Sequence, residues 1–473
     1  MTYDYRLYID GAWKGTSVGA PIPLIDPATE RQIGVVARAS DADLEAALAS
    51  SVASRTGWAA VPAAERGRML CLAADLLAPR LNDAARALSD EQGKTIAEAA
   101  GEYQRALEAL RWNGENADRL EQPIRIDDAR VLQPEPIGIV AAFTPWNYPA
   151  VLNARKLAAA LAAGCPVILK GAEETPSSAV FIIEALIEAG IPKGVVNLVF
   201  GDPPKISATL LASPDVRVMT FTGSTAVGRQ LAAMAGTNLQ RCVLELGGHS
   251  PVALFADADL DVALPAILDY KFECAGQSCN APSRLLVEDA IYDEVLARIV
   301  DACKAITVGP GNDAATVMGP MANIRRIEAM ERLTKDAVAC GAKLLTGGSR
   351  LDRDGFFWSP TILAEVPESA LVLTEEPFGP LLTVQRFSGV DEAITLSNST
   401  SYGLASYFFT RSPEIEERMV RSLSSGSVSV NRIKGVSADA PNGGVNDSGY
   451  GYEGGVEGYR TFQNLKLINR PEL

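Results

Sequence analysis

From about position 137 onward, short apolar runs alternate with Ala- and Leu-rich stretches of helical length. The run Gly138-Ile139-Val140-Ala141-Ala142-Phe143 reads as a buried strand. Residues 155–163 are rich in Ala and Leu and stop at Gly164, which predicts a helix with a glycine stop. Val167-Ile168-Leu169-Lys170 predicts a strand, 177–189 a helix closed by Gly190, and 195–200 and 216–222 two more strands. A helix follows Gly223, and 242–246 is a further strand. This β-α-β-α rhythm implies an α/β fold with a mostly parallel sheet covered by helices. The segment up to 117 carries helical patterns, and Ser40-Asp41-Ala42-Asp43 reads as an N-cap opening one of them. A second α/β-like stretch runs from about 249 to 444. The linker 122–136 reads as extended, and the tail 459–469 alternates enough to be a strand. No internal repeat or low-complexity tract interrupts the pattern.

Composition narrows the class. The chain has 473 residues, 47% hydrophobic and 21% charged, which suits a globular enzyme of two or three domains. A net charge of -15 argues against a nucleic-acid or anionic-membrane partner, because phosphate binding needs clustered Lys and Arg. The first ten residues are polar and charged, so no signal peptide is expected, and no apolar run approaches a membrane span. The expected location is cytoplasmic. Seven cysteines without dense spacing fit reduced thiols. A single histidine, His249, rules out a multi-histidine zinc site and points to a carboxylate as general base. No metal site is expected.

Three segments carry candidate chemistry on a carbonyl. Cys279 ends the run Ala275-Gly276-Gln277-Ser278-Cys279, which reads as a tight loop. A thiol must become thiolate to attack, and a loop that offers backbone N–H groups favours that. Glu245 closes a strand-like run before Gly247-Gly248. A carboxylate there is costly to bury without purpose, and burial raises its pKa toward that of a general base. Asn147 lies in Thr144-Pro145-Trp146-Asn147-Tyr148-Pro149, where two prolines fix the loop and present an amide donor to a developing oxyanion. Taken singly, each has a plainer reading: a buried thiol, a salt-bridged strand end, a rigid loop.

Two signals suit a nucleotide. Phe221-Thr222-Gly223-Ser224 places a glycine turn between strand and helix, where free N–H groups bind phosphate. Lys170 and Glu173 follow another strand end, within reach of an adenosine ribose. The run Gly449-Tyr450-Gly451-Tyr452-Glu453-Gly454 matches GxGxxG, but too little chain follows it to build a βαβ unit.

Together these segments resemble the aldehyde dehydrogenase superfamily, nearest to its semialdehyde dehydrogenases. The resemblance runs from Asp26-Pro27-Ala28-Thr29 through Glu375-Glu376-Pro377-Phe378-Gly379-Pro380 and Tyr402-Gly403-Leu404-Ala405 to Gly443-Gly444 and Gly454-Gly455. It implies an aldehyde dehydrogenase fold: a Rossmann-like cofactor domain (1–117 and 137–247), a catalytic α/β domain (248–445) and a β-strand oligomerisation arm (118–136 and 446–473). A homodimer or homotetramer is expected. It also implies Cys279 as nucleophile, Glu245 as base and Asn147 as oxyanion-hole amide. Lys170 and Glu173 would hold the adenosine ribose, Gly223 and Ser224 the pyrophosphate, Glu376 and Phe378 the nicotinamide end, with Trp146 beside the cofactor. The implied reaction oxidises an aldehyde to its acid through a thiohemiacetal and a thioester, with hydride passing to the nicotinamide. A base at 245 favours hydrolysis over the CoA-acylating and phosphate-reducing relatives. Glu173 favours NAD over NADP, since a carboxylate there repels a 2'-phosphate. A catalytically retired fold used for binding is the competing class, and retention of Cys279, Glu245 and Asn147 argues against it.

Departures from the family pattern bear on substrate. Asn442 stands where many members have phenylalanine, and Cys274 replaces a common asparagine. Arg155 matches an arginine that binds carboxylate in succinic-semialdehyde dehydrogenases, while the second arginine of that clamp is here Glu273. Tyr148, Arg155, Glu273 and Asn442 are the expected substrate residues. They suggest a small polar aldehyde or semialdehyde, with an aminoaldehyde drawn by Glu273 as runner-up. The plain alternative for Arg155 is a helix-surface residue paired with Glu273. A cross-link between Cys274 and Cys279 under oxidation is a further expectation.

Overall fold

The computed structural model describes residues 3–433 and 436–471. Among these residues two large sheets stand side by side. The first has eight strands, in the order Gly449–Tyr450, Arg241–Glu245, Val216–Thr222, Ile139–Phe143, Val167–Lys170, Val196–Val199, Leu7–Ile9, Ala12–Lys14. Its five central strands run parallel. The second has seven, centred on Pro251–Leu254, Arg284–Glu288 and Leu381–Phe387, again parallel except at the edge hairpin Lys343–Thr346 with Thr361–Ala364. A small antiparallel sheet joins Gln463–Asn469, Arg130–Pro136 and Ile124–Arg125 as an arm.

The central strands of the first sheet are buried along their length because helices cover both faces, which is why they read as continuous apolar runs. Strands Val167–Lys170 and Val216–Thr222 fall where the apolar pattern places them. Ser40 opens the helix Asp41–Ala60 with a reciprocal cap: Ser40 N donates to Asp43 Oδ2 at 2.9 Å and Asp43 N to Ser40 Oγ at 3.3 Å.

Two elements depart from expectation. The helix expected from 155 begins at Pro149 and runs Pro149–Ala162. Pro149 suits a first turn, and Glu102, from the helix Ile96–Glu121, accepts from Ala150 N at 2.6 Å and Val151 N at 3.3 Å. That cap comes from 48 residues away, so no local pattern announces it. The tail is not a strand from 459: the short helix Gly455–Arg460 precedes the strand Gln463–Asn469. No helix among the described residues is long and apolar enough to cross a membrane.

The C-terminal ends of the central strands of the first sheet open toward the second sheet. Lys170, Thr222 and Glu245 are each the last residue of their strand. In open α/β sheets this is the edge where ligands bind.

Candidate active site

A cavity of about 1010 Å³ lies between the two sheets and gathers residues from distant stretches of chain. Cys279, Glu245, Asn147, Trp146, Tyr148, Arg155, Gly223, Ser224, Glu273, Glu376, Phe378 and Asn442 all line it. Lys170 and Glu173 are not on its wall; they pair with each other at 2.5 Å beyond it.

The loop that carries Cys279 is built by an unusual descent from the helix Leu260–Phe272. Cys274 and Ala275 adopt φ of 53° and 52°, left-handed values that cost a non-glycine residue on the order of 1–2 kcal/mol. Gly276 continues at φ 70° and lies so close to Gly379 that an added Cβ would sit 2.3 Å from its carbonyl oxygen. Gly248 meets the same loop from the other side: a Cβ there would lie 2.2 Å from the Cys279 carbonyl oxygen. Gly248 therefore lets the strand end after Glu245 meet the thiol loop, while Gly247 meets Glu376. Gln277 fixes the loop internally, donating to Cys274 O at 2.9 Å and accepting from Ala322 N at 3.0 Å.

Burial, with the carboxylates of Glu376 and Glu245 nearby, pushes the Cys279 thiol well above its ordinary value. The Cys279 and Asn280 amides act toward the thiolate, as expected of the loop's N–H groups, but desolvation outweighs them. The thiol rests protonated at neutral pH and needs a base.

Glu245 is buried, and burial followed by the charge of Glu453 raises its carboxyl well above the usual range, against the pull of Lys156 and Arg155. Its Oε2 accepts from Asn442 Nδ2 at 2.8 Å, and its Oε1 has no partner. Such a carboxyl can take a proton near neutrality. Asn147 is held by Pro145 and Pro149 on either side and by its own amide, which donates to Gln277 O at 3.0 Å. The Lys94 ammonium clamps the Asn147 carbonyl from beneath at 2.7 Å and pairs with Glu102 at 2.5 Å. One N–H of the Asn147 amide remains free to serve an oxygen in the cavity.

The substrate end differs from expectation in one respect. Arg155 is buried and does not pair with Glu273, so the surface ion-pair reading is wrong. Its Nη2 donates to Val436 O at 2.9 Å, and its Nε is buried without a partner. Burial lowers its pKa, while Glu453 and Glu245 oppose that. Glu273 instead accepts from Tyr148 OH at 3.2 Å and faces Arg105 at 3.9 Å.

At the other end the helix Thr225–Thr237 points its first turn into the cavity, with no side-chain bond from its N-cap Ser224. Its free N–H groups and the unpartnered Thr222 hydroxyl suit an anionic group such as a pyrophosphate. Phe378 meets Trp146 edge-on at 5.6 Å between centroids, and Arg326 lies 5.5 Å from the Phe378 ring. Glu376 Oε1 accepts from Gly248 N at 3.0 Å, and burial lifts its carboxyl to about 7. Glu173 Oε1 accepts from Gly201 N at 3.0 Å.

His249 takes no part: its ring is buried between Ser283 Oγ at 2.6 Å and Val372 O at 3.0 Å, and burial keeps it neutral. Cys274 points away from the cavity wall, its Sγ meeting Gln92 Nε2 at 3.1 Å and Asn147 O at 3.6 Å. Sequence reasoning missed Lys156 and Glu453, which form a buried ion pair behind Glu245, with Lys156 also donating to Thr220 Oγ1 at 2.9 Å. Glu453 lies inside the GxGxxG run set aside as a fingerprint, and only its match to no other role could have drawn attention to it.

Comparison with known proteins agrees with this arrangement. Residues 13–468 match the model of the aldehyde dehydrogenase family. The chain is 39% identical over 467 residues to a glutarate-semialdehyde dehydrogenase of Pseudomonas aeruginosa, covering 98% of this chain and 97% of the relative. It is 41% identical over 469 residues to a 4-(hydroxymethyl)benzenesulfonate dehydrogenase of Comamonas testosteroni, covering 98% of each. Its structure superimposes on that of an NADP-dependent enzyme of E. coli with a TM-score of 0.96 at 36% identity, over 98% of both chains.

Proposed function

The chain belongs to the aldehyde dehydrogenase family, and on that premise we propose that it oxidises a small aldehyde bearing an anionic tail to the carboxylic acid, with NAD. The observation that carries the reading is the convergence of Cys279, Glu245 and Asn147 on one cavity that also holds Arg155.

The sequence of events follows from the groups present. The Cys279 thiol gives up its proton to solvent water, and its sulfur attacks the aldehyde carbon. The free N–H of Asn147 and the Cys279 backbone amide stabilise the oxyanion. When bound, NAD would supply the two-electron acceptor that turns the thiohemiacetal into a thioester. Trp146, Glu376 and Phe378 seat the nicotinamide end, the start of the helix Thr225–Thr237 holds the pyrophosphate, and Lys170 with Glu173 hold the adenosine ribose. Glu245 Oε1 then takes a proton from water as the water oxygen attacks the thioester carbon. The C–S bond breaks, the acid leaves and the thiolate is regenerated.

Arg155 supports the anionic tail: it lines the cavity, its guanidinium is buried, and its Nε has no partner, a set of donors suited to an acid group. The P. aeruginosa relative is named for a semialdehyde with a carboxylate and the C. testosteroni relative for a sulfonate. An aminoaldehyde is less well served, because Glu273 is already engaged by Tyr148 and faces Arg105. The preference for NAD rests on Glu173, since a structurally similar enzyme uses NADP.

The arm strand Gln463–Asn469 presents Leu465 and Leu467 half exposed beside a free strand edge, which supports pairing with a second copy in a cytoplasmic dimer or tetramer. Steady-state rates of NADH formation over matched anionic, neutral and amino aldehydes test the substrate class. The highest kcat/KM is expected for the anionic set; equal values across the sets would remove the anchor.

A further inference from the structure

Asn442 lies on the wall expected to face substrate, yet its side-chain amide donates to Glu245 Oε2 at 2.8 Å. It is the one hydrogen-bond donor that reaches this carboxyl among the described residues. Its backbone is fixed independently of that contact. Asn442 N donates to Glu453 O at 2.7 Å and Glu453 N to Asn442 O at 2.8 Å, an antiparallel bridge. Glu453 is in turn anchored through its side chain to Lys156. The amide is therefore delivered to Glu245 by a braced element rather than by a mobile loop end.

We propose that Asn442 is a positioning residue for the general base: it holds Glu245 by Oε2, leaving the unpartnered Oε1 to take the proton, and stabilises the charged carboxylate. The inference rests on the role of Glu245 given above and goes beyond it by assigning the atom that does the work and the residue that selects it.

Two observations and one general rule carry it. The two carboxylate oxygens are inequivalent, one bonded and one bare. A hydrogen bond to the ionised form favours that form. Every other group facing Glu245 acts through charge alone: Arg155 and Lys156 from the helix Pro149–Ala162, Glu453 from the loop before the helix Gly455–Arg460, and Cys279 from the nucleophile loop. Of these, Glu453 disfavours ionisation of Glu245 and the two cations favour it. Asn442 adds the directional part that point charges lack. A base that must be neutral enough to stay buried and ionised enough to accept a proton is set by such a contact. A phenylalanine at this position would offer no donor.

The test separates the base from the rest of the chemistry. The full-length enzyme is mixed with NAD and an aldehyde it turns over, quenched in acid at timed intervals, and the decay of the acylated protein is followed by intact mass across pH. In the unsubstituted enzyme, hydrolysis accelerates with pH through one midpoint. With Asn442→Leu the midpoint moves up by about one unit, while the rate of acylation at a fixed high pH changes far less. Asn442→Gln, which keeps a donor, returns the midpoint toward the original value. An unchanged midpoint in Asn442→Leu overturns the proposal. So does a uniform slowing at every pH, which is the mark of packing alone. Absence of any NADH formation by the unsubstituted enzyme is a separate result and strikes the function itself.

Discussion

Asn147 Nδ2 donates to the carbonyl of Gln277 at 3.0 Å. This bond ties the loop after the strand Ile139–Phe143 to the backbone two residues before the thiol. The amide is thus fixed before substrate arrives, with a second N–H left over for an oxygen in the cavity it lines, as an oxyanion donor requires.

Removing that donor has a defined cost. Asn147→Ala and Asn147→Asp are each expected to lower kcat by ~10²–10³, the usual loss for one oxyanion-hole donor. Asn147→Asp retains the shape, so a near-normal rate with it would show that the amide N–H is not used. Steady-state NADH formation at saturating aldehyde reads this.

Arg155 is expected to distinguish substrates rather than to speed all of them. Arg155→Ala should raise KM for an anionic semialdehyde by ~10-fold or more, the scale of a hydrogen bond to a charged group. A neutral aldehyde of the same length should change much less. Arg155→Lys keeps the charge and loses the planar fork, and so should recover only part of the difference. Equal loss for anionic and neutral aldehydes would assign Arg155 to packing against Val436.

Cys279 reactivity should follow its surroundings. Burial, Glu376 and Glu245 all disfavour the thiolate, so iodoacetamide should alkylate the cofactor-free enzyme slowly at neutral pH and ever faster as pH rises past the ordinary thiol range. Glu376, raised to about 7, becomes negative above that pH and opposes thiolate formation there. Glu376→Gln removes this charge, and the alkylation profile should shift to lower pH. A profile that is flat from pH 6 to 9, or one that Glu376→Gln moves upward, would contradict the assigned electrostatics.

Glu173 offers a test of cofactor choice. Its carboxylate pairs with Lys170 at 2.5 Å, leaving little net positive charge for a 2'-phosphate. Glu173→Gln should raise kcat/KM for NADP relative to NAD, measured with one aldehyde at fixed concentration. No change in the ratio would place the discrimination elsewhere.

Much of this was legible in the chain because its signals are local. Strands buried on both faces wrote themselves as apolar runs, Ser40 and Asp43 as a cap, and Cys279, Glu245 and Asn147 as polar groups at the ends or turns of apolar segments. What escaped was set by contacts across the fold. Pro149 opens its helix because Glu102 caps it from another helix. Arg155 looked like a partner for Glu273, but it sits in a helix buried nearly all round, which holds it inside the cavity wall. The thiol's elevated pKa comes first from burial and then from the carboxylates of Glu376 and Glu245, in a setting packed by glycine contacts that no periodicity reveals. Glu453 fell in a misleading motif, and its ion pair with Lys156 spans 297 positions.

The central claim is a thioester on Cys279 that Glu245 helps to hydrolyse. Its most direct test is the mass of Glu245→Gln, quenched after reaction with NAD and an accepted aldehyde. The expected result is one adduct per subunit on Cys279, equal to the aldehyde mass less two hydrogens, with one NADH released per adduct and little further turnover. Sustained NADH formation with Cys279 unmodified throughout would contradict it.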